Sequence, residues 1–331
     1  MKAWVATSLT GEDGLELQDL PSQPCGTEQV RIANHAAALN FPDVLITRGD
    51  YQLRLEPPFV PGSECAGIVI EVGADVAGLS VGDRVLTVSG AGAFADEIVV
   101  TPSVQQVHRI PEAMSFNEAA GLGMVHGTAL HGLRQRGGLQ PGESVLVLGS
   151  AGGCGGAAVG VAVAMGARVI AGASSVEKCT VASRLGAHHV IDYTSEDLRD
   201  RVMDMTDGTG VDVVFDPVGG ALFDRARRCV GWNGRYLVVG FAAGDIPTMP
   251  ANYTILKSMA LVGVAFGMSA IKDPAMNRTN FQQLFDWYDE GLLQTHVGDI
   301  VGFGDLPRAC AELYAGQAIG KTVIEGEPRL P

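Results

Sequence analysis

A glycine-rich turn is the first group of residues whose spacing indicates chemistry. Residues 145–167 read VLVLGSAGGCGGAAVGVAVAMGA. In a G-x-G-x-x-G fingerprint, Ser150 takes the position of the first glycine, and Gly152 and Gly155 take those of the second and third. Glycine at such places permits a tight turn and lets backbone N–H groups approach a pyrophosphate at the start of the following helix. We therefore predict a dinucleotide phosphate loop that includes Ser150, Gly152, Gly153, Cys154 and Gly155.

The same stretch also has features of a membrane helix. Its 23 residues carry no charge, and Gly152, Gly156 and Gly160 lie four apart. Roughly 20 apolar residues span a bilayer, and small residues at this spacing let membrane helices pack closely. A short apolar run, a helical segment and a second apolar run follow one another here, however, which is the order of a βαβ unit. The sequence therefore favours the phosphate loop and predicts no membrane segment.

A second group of polar residues follows the next predicted strand, RVIAGA. An NAD-preferring site has Asp or Glu at its end to bind the ribose hydroxyls, whereas this chain has Ala173. Hydroxyl and ammonium donors that suit a 2′-phosphate follow directly at Ser174, Ser175 and Lys178, and Tyr193, at the end of the next predicted strand, is expected close by. The pattern favours NADPH. The alternative is a solvated turn with Lys178 as an ordinary surface charge.

The elements that must position these groups fall into two blocks. Residues 1–120 read as short strands cut by Gly and Pro, and residues 114–139 as two helical pieces. From residue 145 onward, apolar runs alternate with segments of helical length, which is typical of a parallel sheet covered by helices on both faces. We predict an α/β protein with a mainly β domain followed by a doubly wound nucleotide-binding domain.

Composition excludes several classes of partner. The chain has 331 residues, 47% of them hydrophobic and 18% charged, and a formal net charge of −14, which disfavours nucleic acid and anionic lipid as ligands. Six cysteines are never closer than 25 residues, so we expect reduced thiols rather than a C-x-x-C metal or redox pair. No apolar core follows the first residues as in a secretory signal, and we expect a cytoplasmic protein.

Several motifs together resemble the medium-chain dehydrogenase/reductase superfamily, and specifically its zinc-free quinone oxidoreductase branch. They occur in the expected order and are NFPDVL, PFVPGSECAGIVIEVG, VGDRV, HGTALHGL, VLVLGSAGGCGGAAV, GAHHVIDY, VFDPVGG and IGKTVI. The resemblance implies a GroES-like catalytic domain formed by residues 1–122 and 268–331, a Rossmann domain over residues 123–267, and NADPH in a cleft where they join. It also implies a homodimer whose sheets extend through the strand MALVGVAFG.

The resemblance also shows what has become of the positions that bind zinc in the metal-dependent relatives. Asn40 replaces the cysteine and Ser63 replaces the histidine of the G-H-E motif, although Glu64 is retained. No cysteine lies between Cys65 and Cys154 to supply a third ligand or a structural zinc lobe. Because catalytic zinc needs about three N, S or O ligands from the protein, no metal is expected.

Further site residues follow from family position. Asn40, Tyr51 and His126 are candidate catalytic donors to the acceptor oxygen. Each has a structural alternative: a turn-capping Asn, an exposed loop Tyr, and a packed His bonded to backbone. Candidate cofactor contacts are Thr128, Gly240, Phe241, Phe266, Gly267 and Lys321. For the two phenylalanines, core packing is the alternative.

The chemistry expected without a metal limits the acceptors. Hydride transfer builds negative charge on the acceptor oxygen, so either preorganised donors stabilise it or the acceptor must be strongly electrophilic. We expect an NADPH-dependent reductase of quinones or of α,β-unsaturated carbonyls. One alternative is an enoyl-thioester reductase acting on a crotonyl-CoA type of substrate, and the acidic chain weighs against it. The other, of a different class, is an NADPH-binding crystallin-like protein with little catalysis.

Overall fold

The computed structural model describes residues 1–326, which form two compact units. One unit comprises residues 1–124 and 295–326, and the other comprises Val125–Gln294. The first unit is discontinuous, since strands from both ends of the chain enter one sheet. The fold class is α/β, with a GroES-like unit and a Rossmann-like unit, as predicted.

The first unit is built mainly from strands. Labelled in chain order, its strands are β1 (Lys2–Ala6), β2 (Leu15–Asp19), β3 (Val30–Ala38), β4 (Glu64–Val72), β5 (Arg84–Val88), β6 (Glu97–Val100), β7 (Gln106–Arg109), β14 (Val297–Gly302) and β15 (Lys321–Glu325). The main sheet has the order β14-β15-β3-β4-β5-β7, with β6 also paired to β3, while β1 and β2 pair separately. Its helices are α1 (Phe41–Arg48), α2 (Phe116–Ala120) and α11 (Leu306–Tyr314). The core includes Ile32, Val69, Phe94 and Leu306, all buried.

The second unit has the alternation of strand and helix expected from the sequence. Its strands are β8 (Ser144–Leu148), β9 (Arg168–Ala173), β10 (His189–Asp192), β11 (Val211–Asp216), β12 (Val230–Val238) and β13 (Ala260–Gly263). All pair in parallel in the order β10-β9-β8-β11-β12-β13. The strand order therefore reverses direction at β8 and β11, and ligands of such sheets bind outside the carboxyl ends of the strands at that point.

Helices cover this sheet. They are α4 (Gly153–Ala164), α5 (Val176–Arg184), α6 (Leu198–Met205), α7 (Gly220–Ala226), α8 (Asn252–Lys257), α9 (Phe266–Lys272) and α10 (Pro274–Asp289). Helix α3 (Gly123–Leu130) belongs to this unit from Val125 onward and is continued by a π-helical turn, His131–Arg136. The stretch with membrane-like features is thus β8, a turn and the 12-residue α4. Among the described helices, none combines the length and apolar character needed to cross a bilayer.

The two described units divide the chain near residue 268 differently from the sequence interpretation. The sequence interpretation assigns residues 268–294 to the catalytic domain, but they belong to the same compact unit as the Rossmann-like sheet. Helix α10 packs on the π-helical turn, where Gln135 Nε2 donates to Asn280 Oδ1 at 2.9 Å and the Arg134 guanidinium lies over the Trp287 ring. The chain therefore enters the first unit again only at Thr295.

Candidate active site and nucleotide loop

The predicted phosphate loop connects β8 to α4, and two of its glycines have different steric reasons to be glycine. A Cβ on Gly155 would lie 2.2 Å from the carbonyl oxygen of Gly149, so no side chain fits there. A Cβ on Gly152 would have its nearest neighbour 3.5 Å away and would project into open space. Since α4 begins at Gly153, its first backbone N–H groups lie at the end of this loop, and such groups are the donors with which helix starts bind pyrophosphate.

Ser150 takes a supporting position in this loop. Its hydroxyl is fully buried and donates to the carbonyl of Gly172 at 3.0 Å, and its N–H donates to the same oxygen at 3.1 Å. Ser150 therefore fixes the loop to β9 in this structure. Gly153 and Cys154 are the first two residues of α4, and both are partly exposed at the helix start.

The residues predicted for the 2′-phosphate lie together beyond β9 and β10. Ser175 caps α5, and its hydroxyl accepts from the Lys178 N–H at 3.2 Å. Burial raises the pKa of the Tyr193 phenol, while a hydrogen bond with Ser174 opposes that rise. The sequence did not indicate Arg225, whose guanidinium holds the turn after β10 by donating to the carbonyl of Tyr193 at 2.8 Å.

The loop after β11 is fixed by a second group that the sequence interpretation missed. Asp216 Oδ1 accepts from the N–H groups of Val218 and Gly219 at 2.8 and 2.9 Å, and its Oδ2 accepts from the Tyr236 hydroxyl at 2.6 Å. Burial raises the pKa of Asp216, and these hydrogen bonds limit the rise. The Phe241 ring packs beside Gly219, where a Cβ would lie 2.9 Å from it.

The remaining predicted residues of the second unit divide by burial. Phe266 is buried and packs on α3, since a Cβ on Gly127 would lie 2.4 Å from its Cζ. His126 is also buried in α3, whereas Thr128 is half-buried. Gly267 is exposed, and Gly240 is half-buried with its N–H directed to the carbonyl of Asp216. Phe266 therefore has the core position that was its structural alternative.

In the first unit, strand register assembles a buried polar cluster. Strands β15 and β3 are antiparallel, and Val323 pairs with Ala38. Continuing this register by two residues places Lys321 opposite Asn40. The pairing of Cys65 with Ala37 likewise brings the start of β4 to the end of β3. The cluster thus formed consists of Asn40, Asp43, Ser63, Glu64 and Lys321, each at most 5% exposed.

Lys321 is the centre of this polar cluster. Its ammonium lies 2.8 Å from Glu64 Oε1 and donates to Asn40 Oδ1 at 2.5 Å and to the carbonyl of Leu39 at 2.8 Å. Three such contacts satisfy the three donors of an ammonium. Lys321 was predicted as a cofactor contact, but in this structure its charge is directed into the first unit.

Asn40 is equally committed within the cluster. Its Nδ2 donates to Glu64 Oε1 at 2.8 Å and to Ser63 Oγ at 3.1 Å. It is also the N-cap residue of α1, and its N–H donates to Asp43 Oδ2 at 2.8 Å. Asn40 therefore has the helix-capping role that was its structural alternative and also joins the buried charges, while its catalytic role stays a prediction. Tyr51, the other candidate here, is half-buried in the loop after α1.

This donor set does not fit a zinc ion. A zinc site needs about three N, S or O ligands from the protein, whereas the cluster offers an amide, a hydroxyl and a carboxylate already paired to an ammonium. A divalent cation would be repelled by Lys321. Within residues 1–326, no group of three or more His, Cys, Asp or Glu side chains is arranged to hold a metal.

Comparisons with known proteins agree with this architecture. Residues 26–112 match the alcohol dehydrogenase GroES-like domain, and residues 153–289 match the family described as zinc-binding dehydrogenase. The chain is 40% identical over 301 residues to a quinone oxidoreductase-like protein 2 homolog of Nematostella vectensis, covering 90% of this chain and 82% of that protein. It belongs to the medium-chain dehydrogenase/reductase superfamily, in the quinone oxidoreductase branch.

Solved structures support the same placement. Escherichia coli quinone oxidoreductase complexed with NADPH has a TM-score of 0.91 and 25% identity, with 98% of this chain and 100% of that chain covered. A quinone oxidoreductase of Pseudomonas syringae pv. Tomato DC3000 has a TM-score of 0.90 and 30% identity, with 98% and 99% covered. This medium-chain dehydrogenase/reductase is accordingly an oxidoreductase of the quinone oxidoreductase type.

Proposed function

We propose that this chain is an NADPH-dependent reductase of quinones or other activated alkenes, in which no metal stabilises the reacting oxygen. The observation that carries the proposal is the 2.8 Å ion pair of Lys321 with Glu64, hydrogen-bonded to Asn40. Because of this ion pair, the ammonium of Lys321 lies among residues that, by the resemblance, stand at the zinc-binding positions of metal-dependent relatives. The sequence resemblance and the chemistry of these side chains thus both support a reaction in which no metal takes part.

The acceptor class follows from the electrostatics. NADPH supplies a hydride when it is bound, and an unactivated carbonyl would then need strong stabilisation of its developing oxyanion. With Asn40 Nδ2 already donating to Glu64 and Ser63, the first unit offers the Tyr51 hydroxyl as its candidate donor. Quinones and enones, which delocalise the charge, need little more than one such donor.

The preference for NADPH rests on the residues beyond β9. Ala173 offers no carboxylate to a ribose, and it would not repel a phosphate. Ser174, Ser175, Lys178 and Tyr193 supply hydroxyls and one positive charge in the same region. The NADPH complex of the Escherichia coli relative is consistent with this assignment.

A thioester acceptor is the second candidate, favoured by one specific similarity. The chain is 32% identical over 312 residues to part of a phenolphthiocerol/phthiocerol polyketide synthase polypeptide of Mycobacterium tuberculosis, a match that covers 94% of this chain and 14% of that protein. An enoyl thioester is an activated alkene, so the hydride chemistry would be the same and only the binding of the thioester arm would differ.

We further propose that two copies associate through β13. This strand forms one end of the described six-stranded sheet, and edge strands present unpaired backbone groups to a second chain. Large apolar side chains are exposed around it, including Leu261 in the strand and Ile255 and Leu256 before it. Light scattering is expected to give a dimer for the wild-type chain and a monomer for Leu261→Lys; a monomeric wild type contradicts the proposal.

An acceptor panel tests the proposed function. Chelator-treated protein is mixed with NADPH or NADH and with a benzoquinone, an alkenal, crotonyl-CoA or a simple aldehyde, and cofactor oxidation is followed at 340 nm. We expect turnover of the quinone or the alkenal with NADPH. Turnover of crotonyl-CoA alone would favour the thioester candidate, and tight NADPH binding without any turnover would favour a non-enzymatic role.

A further inference from the structure

Two carboxylate–hydroxyl pairs lie at opposite ends of β11. At its amino end, Ser144 Oγ donates to Asp212 Oδ2 at 2.8 Å and joins β8 to β11. At its carboxyl end, the Tyr236 hydroxyl donates to Asp216 Oδ2 at 2.6 Å and joins β12 to β11. The carboxyl ends of the strands form the ligand-binding edge of such a sheet, and the amino ends lie away from it. Of the two pairs, the second is therefore at the edge where a ligand binds.

Asp216 links the side chain of Tyr236 to the backbone of the loop after β11. Asp216 is 2% exposed and Tyr236 is fully buried. The second oxygen of Asp216, Oδ1, accepts from the N–H groups of Val218 and Gly219 at 2.8 and 2.9 Å. Burial raises the pKa of Asp216, and these three donors are the groups that favour its charged form. Loss of one donor would leave a buried carboxylate oxygen unsatisfied, so the position of the loop depends on Tyr236.

The loop after β11 is bonded along its length to the loop after β12. Backbone hydrogen bonds of 2.9 to 3.1 Å join them, from the N–H groups of Val239, Ala242, Ala243 and Gly220 to the carbonyls of Asp216, Pro217, Val218 and Asp245, respectively. We call residues 217–220 and 239–245 together the double loop. Because its two halves share these hydrogen bonds, they are expected to move as one body.

The double loop adjoins the predicted phosphate loop. A Cβ built on Gly149, whose φ is +58°, would lie 3.0 Å from Val218 Cγ2. The residues predicted for the 2′-phosphate follow β9 and β10, on one side of β8, whereas the double loop follows β11 and β12, on the other side. A dinucleotide whose pyrophosphate binds at the start of α4 would therefore extend its nicotinamide half over the double loop.

We propose that Asp216 and Tyr236 are positioning residues that hold the double loop, before NADPH binds, in the shape that receives the nicotinamide half of the cofactor. This inference rests on the proposed function. Both side chains are buried, so they act through the backbone of the double loop and not by touching the cofactor. A loop that must be ordered on binding consumes part of the interaction free energy, and a preformed loop does not. The pair should therefore strengthen binding of the nicotinamide half and leave binding of the adenosine half unchanged.

A fragment of the cofactor separates this role from a general contribution to stability. Adenosine 2′,5′-bisphosphate carries the groups expected beyond β9 and β10 and has no nicotinamide. Calorimetry gives the dissociation constants of this fragment and of NADPH for wild type, Tyr236→Phe and Ser144→Ala. Tyr236→Phe should bind NADPH roughly tenfold more weakly and bind the fragment like wild type. Ser144→Ala removes the matched hydroxyl at the amino end of β11 and should bind both ligands like wild type.

Substitutions of Asp216 test whether its contacts or its charge matter. In Asp216→Asn, the amide oxygen can accept from the N–H groups of Val218 and Gly219, and the amide nitrogen can donate to the Tyr236 oxygen. NADPH affinity should therefore stay within about twofold of wild type. Asp216→Ala removes all three contacts and should weaken NADPH at least as much as Tyr236→Phe. An Asp216→Asn variant as weak as Asp216→Ala would overturn a positioning role through these contacts.

Hydrogen exchange followed by mass spectrometry tests the preformed shape without any substitution. In the cofactor-free wild type, we expect slow amide exchange in peptides that cover residues 217–220 and 239–245, with little change when NADPH is added. In Tyr236→Phe, exchange should be faster in these peptides and unchanged in β8. Exchange in the free wild type as fast as in an unstructured peptide overturns the inference.

The outcomes separate this inference from the proposed function. Tyr236→Phe with wild-type affinity for NADPH, or with equal losses for NADPH and the fragment, overturns the inference alone. A wild type that binds no NADPH overturns the proposed function as well. If Tyr236→Phe does not fold, exchange in the wild type and the comparison of Asp216→Asn with Asp216→Ala decide.

Discussion

Lys321 and Asn40 are joined by a hydrogen bond from the ammonium to Oδ1, although 281 residues separate them in the chain. The contact exists because β15 returns antiparallel to β3 and brings Lys321 opposite the residue that caps α1. A cation is thereby buried against Glu64 in the first unit. Stability and the electrostatics of the proposed reaction therefore depend on the same ion pair.

Breaking this pair should be costly. Lys321→Met leaves the Glu64 carboxyl buried without the cation that pairs with it, and loss of one partner of such a pair typically costs ~3–5 kcal/mol in the free energy of unfolding. The double variant Glu64→Gln/Lys321→Met should recover part of that loss in urea denaturation. Arg308→Met, which removes an exposed ion pair with Glu312, is the control and should leave the midpoint nearly unchanged. Equal effects of Lys321→Met and Arg308→Met would contradict the account.

Two glycine variants separate folding of the phosphate loop from cofactor binding. Gly155→Ala forces a Cβ to within 2.2 Å of the Gly149 carbonyl, so we expect a lower thermal midpoint and loss of NADPH binding. Gly152→Ala meets nothing closer than 3.5 Å, so it should fold normally and yet bind NADPH at least tenfold more weakly. Calorimetry and fluorescence titration measure both effects. Unchanged NADPH affinity in Gly152→Ala would show that this loop does not bind the pyrophosphate.

Coenzyme preference tests the residues beyond β9. Ala173→Asp places a carboxylate where it can accept from ribose hydroxyls and repel a 2′-phosphate, so the ratio of NADPH to NADH affinity should fall at least tenfold. Lys178→Ala should weaken NADPH alone, since the charge it removes has no partner in NADH. The readout is the dissociation constant of each cofactor. If Lys178→Ala lowered the affinity for NADH and NADPH equally, the substitution would be acting through the structure of α5 and not through the 2′-phosphate.

The stability of the first unit should depend on the protonation of Asp43. Its folded pKa of about 6 lies above the value of an unfolded Asp, so folding favours the protonated form. The stabilisation is complete below about pH 4 and is lost as pH rises through about 6. A rise of this size corresponds to ~3 kcal/mol, so Asp43→Asn should gain stability relative to wild type between pH 4 and 7 by an amount of that order. A stability difference that stays constant with pH refutes this.

Local patterns in the sequence were sufficient for much of the fold. An apolar run ending at glycine located β8, an apolar run beginning at a charged residue located β9, and the fingerprint located the loop to α4, because these features depend on neighbouring residues. The buried cluster could not be found in this way. Lys321 contacts Asn40 only because two strands far apart in the sequence pair with each other. The residues next to Lys321 in IGKTV do not indicate whether its side chain is buried in an ion pair or contacts a cofactor.

Other misses have the same cause. Arg225 and Asp216 fix loops at the carboxyl ends of β10 and β11. Asp216 lies within the motif VFDPVGG, but the hydrogen bonds that both side chains make to backbone groups follow only from the folded structure. The predicted boundary near residue 268 differs from the division of the described units at Thr295, because α10 packs on the turn that holds Arg134 and Gln135, a contact between segments far apart in the chain. Ser150 matched its place in the fingerprint, while its hydroxyl is used to hold β9.

The central claim, metal-free hydride transfer from NADPH to an activated acceptor, is tested most directly by a single-turnover measurement. Protein freed of metals by chelation is mixed with NADPH deuterated at the nicotinamide C4 and with an enone, and the label in the product and the rate of cofactor oxidation are followed. The account predicts deuterium at the β-carbon, slower oxidation of the deuterated cofactor, and no change when zinc is added. Unlabelled product, or a rate that appears only with zinc, would contradict it.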